Sequence, residues 1–242
     1  MDGIHNRLLL AMPRAGFARL KPSLEAVSLR QGQQIDRLGE PVRYHYFVDC
    51  GFISMVKTMQ DGRSVEVGGV GIEGLTSPTA VLAFNAAALD SVVQIPGHGF
   101  RIKHEILKRE LEHDPIFLRL IQNYARYLLS QVAQTAACNR LHPVEERCCR
   151  WLLVAHDNAL SDLFPLTQEF LATMLGAQRA GVSLAARVLK KAGLINYSRG
   201  QIRILDRKGL EQESCECYRA SRTELDALFS GRRSGAIRPR KS

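Results

Sequence analysis

Residues 166–205 constrain the fold of this 242-residue chain more than any other stretch, because a short helix, a glycine turn, a second helix and a basic hairpin follow one another directly. Thr167, after Pro165 and Leu166, offers a hydroxyl to the free amides of a first helical turn, so a helix is predicted to start there. Phe170, Leu171 and Met174 give it one apolar flank before Leu175-Gly176-Ala177 breaks the pattern. Gly176 permits the positive φ that ends one helix and redirects the chain into the next. From Gln178 onward, Val182, Ala185, Ala186 and Leu189 repeat at helical spacing, while Arg179, Ser183 and Arg187 share another face. The apolar face packs and the arginine face is left for a partner. Beyond Ala192-Gly193, residues 194–197 and 201–205 alternate around Ser198-Arg199-Gly200, which predicts a hairpin with a basic tip.

Two helices joined by a short glycine turn place the second in a DNA major groove, and a basic hairpin beside them completes a winged helix-turn-helix. Arg199 and Arg203 on the hairpin suit phosphate contacts, which position a protein without reading sequence. One alternative is an ordinary helical hairpin with solvated charges, and another is a ligand-sensing module whose helix-turn-helix docks a protein partner. Charge favours DNA: residues 1–135 carry 15 basic and 13 acidic groups, whereas residues 136–242 carry 18 and 11. Part of that excess lies in the tail 231–242, with Arg232, Arg233, Arg238, Arg240 and Lys241 among Gly, Ser and Pro, a composition expected to be disordered.

Upstream, Tyr44, Tyr46 and Val48 alternate before Asp49-Cys50-Gly51, then Ile53, Met55 and Lys57, then Asp61-Gly62 and residues 64–67. With residues 91–95 closed by Pro96-Gly97, short strands joined by turns predict an antiparallel sandwich or roll. A long helix follows from Asp114-Pro115, with Phe117, Leu120, Ile121, Tyr124, Leu128 and Val132 at helical spacing. Its apolar face exceeds what one small β-domain should cover, so Phe117, Leu120, Ile121, Tyr124 and Leu128 are expected to form a two-fold dimer seam. Residues 139–142 are expected as a hinge. Pro143, Glu145 and Glu146 then start another helix, whose Trp151 to Val154 anchor the helix-turn-helix from behind.

No nucleophile elbow, phosphate loop or catalytic acid pair occurs, so an enzyme is not expected. No run of 18 apolar residues spans a membrane, and residues 1–20 lack a signal-peptide core, so the cytoplasm is the expected location. Cys50, Cys138, Cys148, Cys149, Cys215 and Cys217 are too scattered for a disulfide framework. Neither the adjacent pair nor Cys215-x-Cys217 has a standard zinc or redox spacing, and His98, His104 and His113 contain no helical pair. The cysteines read as reduced and structural, with no metal or cofactor expected.

The order β-roll, long helix, hinge and winged helix-turn-helix resembles the Crp/Fnr family of bacterial transcription regulators over essentially the whole chain. The resemblance is carried by Gly51-Phe-Ile-Ser54, Asp61-Gly62-Arg63, residues 138–147 and, most closely, Leu166-Thr-Gln-Glu-Phe-Leu-Ala-Thr-Met-Leu-Gly176. It implies an α+β fold: a cupin-like β-roll sensor over residues 1–112, a dimerisation helix over 113–139, a DNA-binding domain over 140–212, and a C-terminal helix and basic tail over 213–242. It further implies a homodimer on a palindromic operator in double-stranded DNA, with RNA polymerase as a further candidate partner.

Three departures from the family follow. Members that bind cyclic nucleotides hold the phosphate with an Arg-Ser pair, but here Leu89-Asp90-Ser91 takes that place and no Lys or Arg lies between Arg63 and Arg101. A phosphodiester there would lose its charge-assisted contacts, so gating by cyclic AMP or GMP is not expected. The iron–sulfur branch uses N-terminal cysteines, whereas the first here is Cys50. No effector follows from the sequence. The family's recognition pattern Arg-Glu-Thr-Val-Gly-Arg corresponds to Arg179-Ala180-Gly181-Val182-Ser183-Leu184, so Arg179 can grip a guanine while Ala180 and Leu184 alter the code. Ser183 and Arg187 are candidates for base or phosphate contact, and Thr167, Gln168 and Gln178 for phosphate.

Overall fold

The computed structural model describes residues 3–230, so the basic tail lies outside the described residues. Two short helices, α1 (Arg7–Ala11) and α2 (Arg14–Leu20), lead through a tight turn into β1 (Glu25–Leu29) and β2 (Gln34–Asp36). The long strand β3 (Tyr44–Thr58), then β4 (Ser64–Val70), a short α3 (Pro78–Leu82) and the second long strand β5 (Asp90–Lys103) complete an antiparallel sheet. Its order is β1-β5-β3-β4, with β2 also on β5. This is the predicted α+β fold with an N-terminal antiparallel roll, but the strands are longer than the turn residues suggested. Asp49-Cys50-Gly51 lies within β3 and Pro96-Gly97 within β5, where the register slips at successive positions. Gly51, at φ +100°, serves a bulge there: a Cβ would meet the carbonyl oxygen of Ile95 at 2.7 Å. The glycine therefore bends one strand where the sequence suggested a turn between two. The inward parity also differs, with His45 and Phe47 buried while Tyr44 and Tyr46 are half-covered.

Helix α4 (His104–His113) leads to α5 (Pro115–Leu141), capped by Asp114, whose carboxylate accepts from the Ile116 and Phe117 amides. Its 27 residues make a rod about 40 Å long at about 1.5 Å per residue. The expected dimer seam is corrected here. Phe117, Ile121 and Tyr124 are 0% exposed and Leu128 is 6% exposed within the single chain, and Leu120 is partly covered by the same core. The roll does not cover this face alone: Leu8, Leu9, Phe17 and Leu20 from α1 and α2, and Leu225 near the C-terminus, pack into the same cluster. An open apolar stripe of α5 lies elsewhere, at Leu129, Ala133, Ala136 and Ala137, with Ile116 and Leu141 also exposed near the helix ends.

Helix α5 runs through residues 139–141, so the expected hinge shrinks to His142 and Pro143 before α6 (Val144–Ala159). Then come β6 (Leu163–Pro165), α7 (Gln168–Leu175), α8 (Arg179–Lys191), the hairpin strands β7 (Ile195–Ser198) and β8 (Gln201–Ile204), α9 (Arg207–Glu213) and α10 (Cys217–Ser230). A second core gathers Trp151, Leu152, Phe164, Leu171, Val182, Leu189 and Ile202 around α6. Among the described residues, no helix is long and apolar enough to cross a membrane.

Candidate nucleic-acid interface

The local chemistry of residues 166–205 builds the expected arrangement. The Thr167 hydroxyl accepts from the Phe170 amide at 3.2 Å and starts α7. Gly176, at φ +53°, ends it, and its amide closes on the carbonyls of α7's last turn. Helix α8 buries Val182, Ala185, Ala186 and Leu189, each Val or Leu contributing about 1.5–3 kcal/mol when removed from water. Its opposite face exposes Arg179, Ala180, Leu184, Arg187 and Val188. Gln178, at the N-cap, is exposed and makes no side-chain cap bond. The Ser183 hydroxyl donates to Gln168 Oε1 at 2.9 Å, so these two candidates brace α8 against α7.

The wing is a two-residue hairpin: Ser198 pairs with Gln201, leaving Arg199 and Gly200 at φ +51° and +73° as the turn. Arg199 and Arg203 are exposed on the hairpin, as Arg179 and Arg187 are on α8. Among the described residues none of these four arginines has a carboxylate partner, whereas Arg207 and Arg222 are both bound to Asp157. A third strand, which the sequence did not disclose, backs the wing. Strand β6 pairs with β8, and the Leu166 amide donates to the Gly200 carbonyl at 2.8 Å.

Several residues that position this reader went unnoticed in the sequence. Buried Arg147 on α6 donates to the Leu175 carbonyl at 2.9 Å and to Asn139 Oδ1 at 3.0 Å, tying α7 to the end of α5. Trp151 Nε1 donates to Glu66 Oε1 at 3.2 Å, so Trp151 faces the roll as well as the helix-turn-helix. The Ser54 hydroxyl donates to the other carboxyl oxygen of Glu66 at 2.5 Å. Burial pushes the Glu66 carboxyl up to about 7, against the pull of those two donors. Asn158 joins the same interface by accepting from the Ile72 amide at 2.9 Å. Gly71 makes room for it, since a Cβ there would fall 1.8 Å from Asn158 Oδ1.

Below the reader, the fold also brings together Cys138, His142, Cys215 and Cys217. No spacing among the cysteines announced this group, although Cys138 and His142, four residues apart at a helix end, were a usable signal. Cys50, Cys148 and Cys149 lie outside it.

Residues 146–213, spanning α6 to α9, match the family model for the Crp-like helix-turn-helix domain. The chain carries a Crp-like helix-turn-helix domain. Solved structures extend the likeness to the whole fold. FixK2 from Bradyrhizobium japonicum aligns with a TM-score of 0.67 at 19% identity, over 79% of this chain and 98% of that one. A structure from Eubacterium rectale described as a transcriptional regulator of the Crp/Fnr family aligns at 0.64 and 18% identity, over 86% and 98%. The c-di-GMP-responsive regulator CLP of Xanthomonas campestris aligns at 0.63 and 16% identity, over 80% and 100%. No curated protein matches the chain in sequence. The Crp-like domain thus follows a roll and long helix of the kind found in these regulators.

Proposed function

We propose that the chain is a transcription regulator of the Crp/Fnr type that binds double-stranded DNA in the cytoplasm as a homodimer, with α8 in the major groove and the wing on the backbone. The observation that carries this reading is the exposed face of α8, where Arg179 and Arg187 have no carboxylate partner among the described residues and exposed Arg199 and Arg203 add basic groups on the hairpin. Residues 1–112 serve as the sensor-like unit, 113–139 as the dimer helix and 140–212 as the reader, with 213–242 closing the chain. Arg179 reads a guanine edge, Arg187 and Ser183 stand beside it, and Ala180 and Leu184 set a code different from the family's. Thr167, Gln168, Gln178, Arg199 and Arg203 hold phosphates.

Selection of binding sites from random DNA with the purified chain tests this reading. Two half-sites related by a two-fold axis and about 34–36 Å apart are expected. Arg179→Ala should weaken the selected site by about 1–3 kcal/mol and relax one position. Equal loss on random DNA would make Arg179 a backbone contact. Leu184 and Val188, each about half exposed, favour a second reading in which the same face docks a protein. In the first reading they meet thymine methyls; selection without sequence preference would support the second.

Cyclic AMP and GMP are not the signal in this proposal. Asp90 accepts from the Leu38 amide at 3.1 Å, where an arginine would serve a phosphate, and Ser91 is buried. Calorimetric binding of either nucleotide at micromolar concentration would overturn that part.

A further inference from the structure

We propose that Cys138, His142, Cys215 and Cys217 bind one zinc ion through four protein ligands and so staple the C-terminal helices to the end of α5. The four ligand atoms lie within 4.8 Å of one another. Cys138 Sγ is 3.6 Å from Cys215 Sγ, and Cys217 Sγ is 3.5 Å from His142 Nδ1. With zinc–sulfur bonds of about 2.3 Å and zinc–nitrogen bonds of about 2.0–2.1 Å, the corners of a tetrahedron stand roughly 3.5–3.8 Å apart. The present spacing is close to that. Three thiolates and an imidazole are a donor set zinc favours, and a group this tight encloses a single ion with no room for the inorganic core of an iron–sulfur cluster.

The surroundings also suit a metal centre. Cys138, Cys215 and Cys217 form a buried cluster of their own, separate from the two main cores, so their sulfurs face one another and not the apolar interior. Gln134, one turn before Cys138 on α5, donates its side-chain amide to Cys217 Sγ at 2.9 Å, the kind of outer contact that fixes a thiolate ligand and offsets its charge. All coordinating positions are filled by protein, which marks a structural and not a catalytic ion. Binding would release the thiol protons to solvent and leave oxidation states unchanged.

The site lies at a joint. Cys138 lies in the last turn of α5 and His142 caps it just before α6, while Cys215 lies in the turn before α10 and Cys217 begins that helix, which runs back along α5 with Glu224 bound to Ser130 and Arg126. The ion would therefore close the Crp-like domain onto α5 at the turn where they meet, whether or not α8 reads DNA.

Metal analysis of the full-length chain, purified under reducing conditions with zinc supplied, is expected to find one equivalent per chain. Cobalt substituted for zinc should give thiolate charge-transfer and tetrahedral d–d bands. Cys138→Ser and Cys215→Ser should lose both, while Cys50→Ser, outside the cluster, keeps them. Where those two variants do not fold, Gln134→Ala retains every ligand and should bind cobalt about 10- to 100-fold more weakly. Absence of zinc from the reduced wild-type protein would overturn the site. So would a cobalt spectrum indifferent to these variants, or a Cys138–Cys215 disulfide persisting under those conditions.

Discussion

Arg199 occupies a backbone conformation that arginine rarely adopts, φ +51° at the first position of the wing turn. Both residues of such a turn favour Asn or Gly, and a non-glycine residue held there costs about 1 kcal/mol or more. In the proposed DNA complex a phosphate contact by the guanidinium would offset that cost. Arg199→Asn should therefore raise the unfolding free energy by about 1 kcal/mol and reduce the slope of log affinity against log salt by about one ion. Denaturant melts and salt titrations measure the two effects separately, and an unchanged slope would remove the wing tip from the phosphate contacts. Gly181 poses the opposite case, because a Cβ added there meets nothing within 4 Å. Packing against the neighbouring helix therefore does not require this glycine. At this scale the sequence was legible wherever the determinant was local: the Thr167 cap and the Gly176 turn needed only their neighbours in the chain.

Between elements, the joint of β4, α6 and α7 centres on Glu66. Its folded pKa of about 7 stands above the ordinary 4.5, so the folded state holds a proton that the unfolded chain releases. The resulting stability is fully present below about pH 4.5 and is lost as pH rises through about 7. Glu66→Gln, neutral throughout, should match the wild type at pH 4.5 and exceed it at pH 8, by at most on the order of 3 kcal/mol. Thermal melts at the two pH values decide this; an equal difference at both would mean that the carboxyl does not titrate there. Such interfaces were hidden in the sequence because they join segments far apart in the chain, Ser54 and Glu66 with Trp151 and Met174. The cysteine cluster was hidden for the same reason. Turn-type residues misled in the roll, since Asp49-Cys50-Gly51 and Pro96-Gly97 bulge paired strands that continue through them.

For the whole molecule, the face of α5 left open is the surface on which the proposed homodimer would meet. Leu129 is 70% exposed, and Ala133, Ala136 and Ala137 continue its stripe with side chains small enough for close helix approach. If that proposal holds, Leu129→Glu should convert the proposed dimer to a monomer in light scattering and weaken binding to a two-half-site operator by far more than binding to one half-site. A dimer indifferent to this change would place the seam elsewhere. The apolar spacing of α5 was legible as a helix, but not the use of each face, because α1, α2 and α10 contribute to the core from the two ends of the chain.

The strand that backs the wing gives the reader a fixed scale. Because β6 is paired to β8 and Leu166 is bound to Gly200 directly before the Thr167 cap, the hairpin tip and the foot of α7 share one hydrogen-bonded register. In the proposed DNA complex, the distance from a base touched by α8 to a phosphate touched by the wing would thus be set by a sheet and not by a loose loop. On that proposal the protein would measure its operator with a ruler as well as read it, and lengthening the wing by a residue would misplace the mark while leaving the helices able to fold.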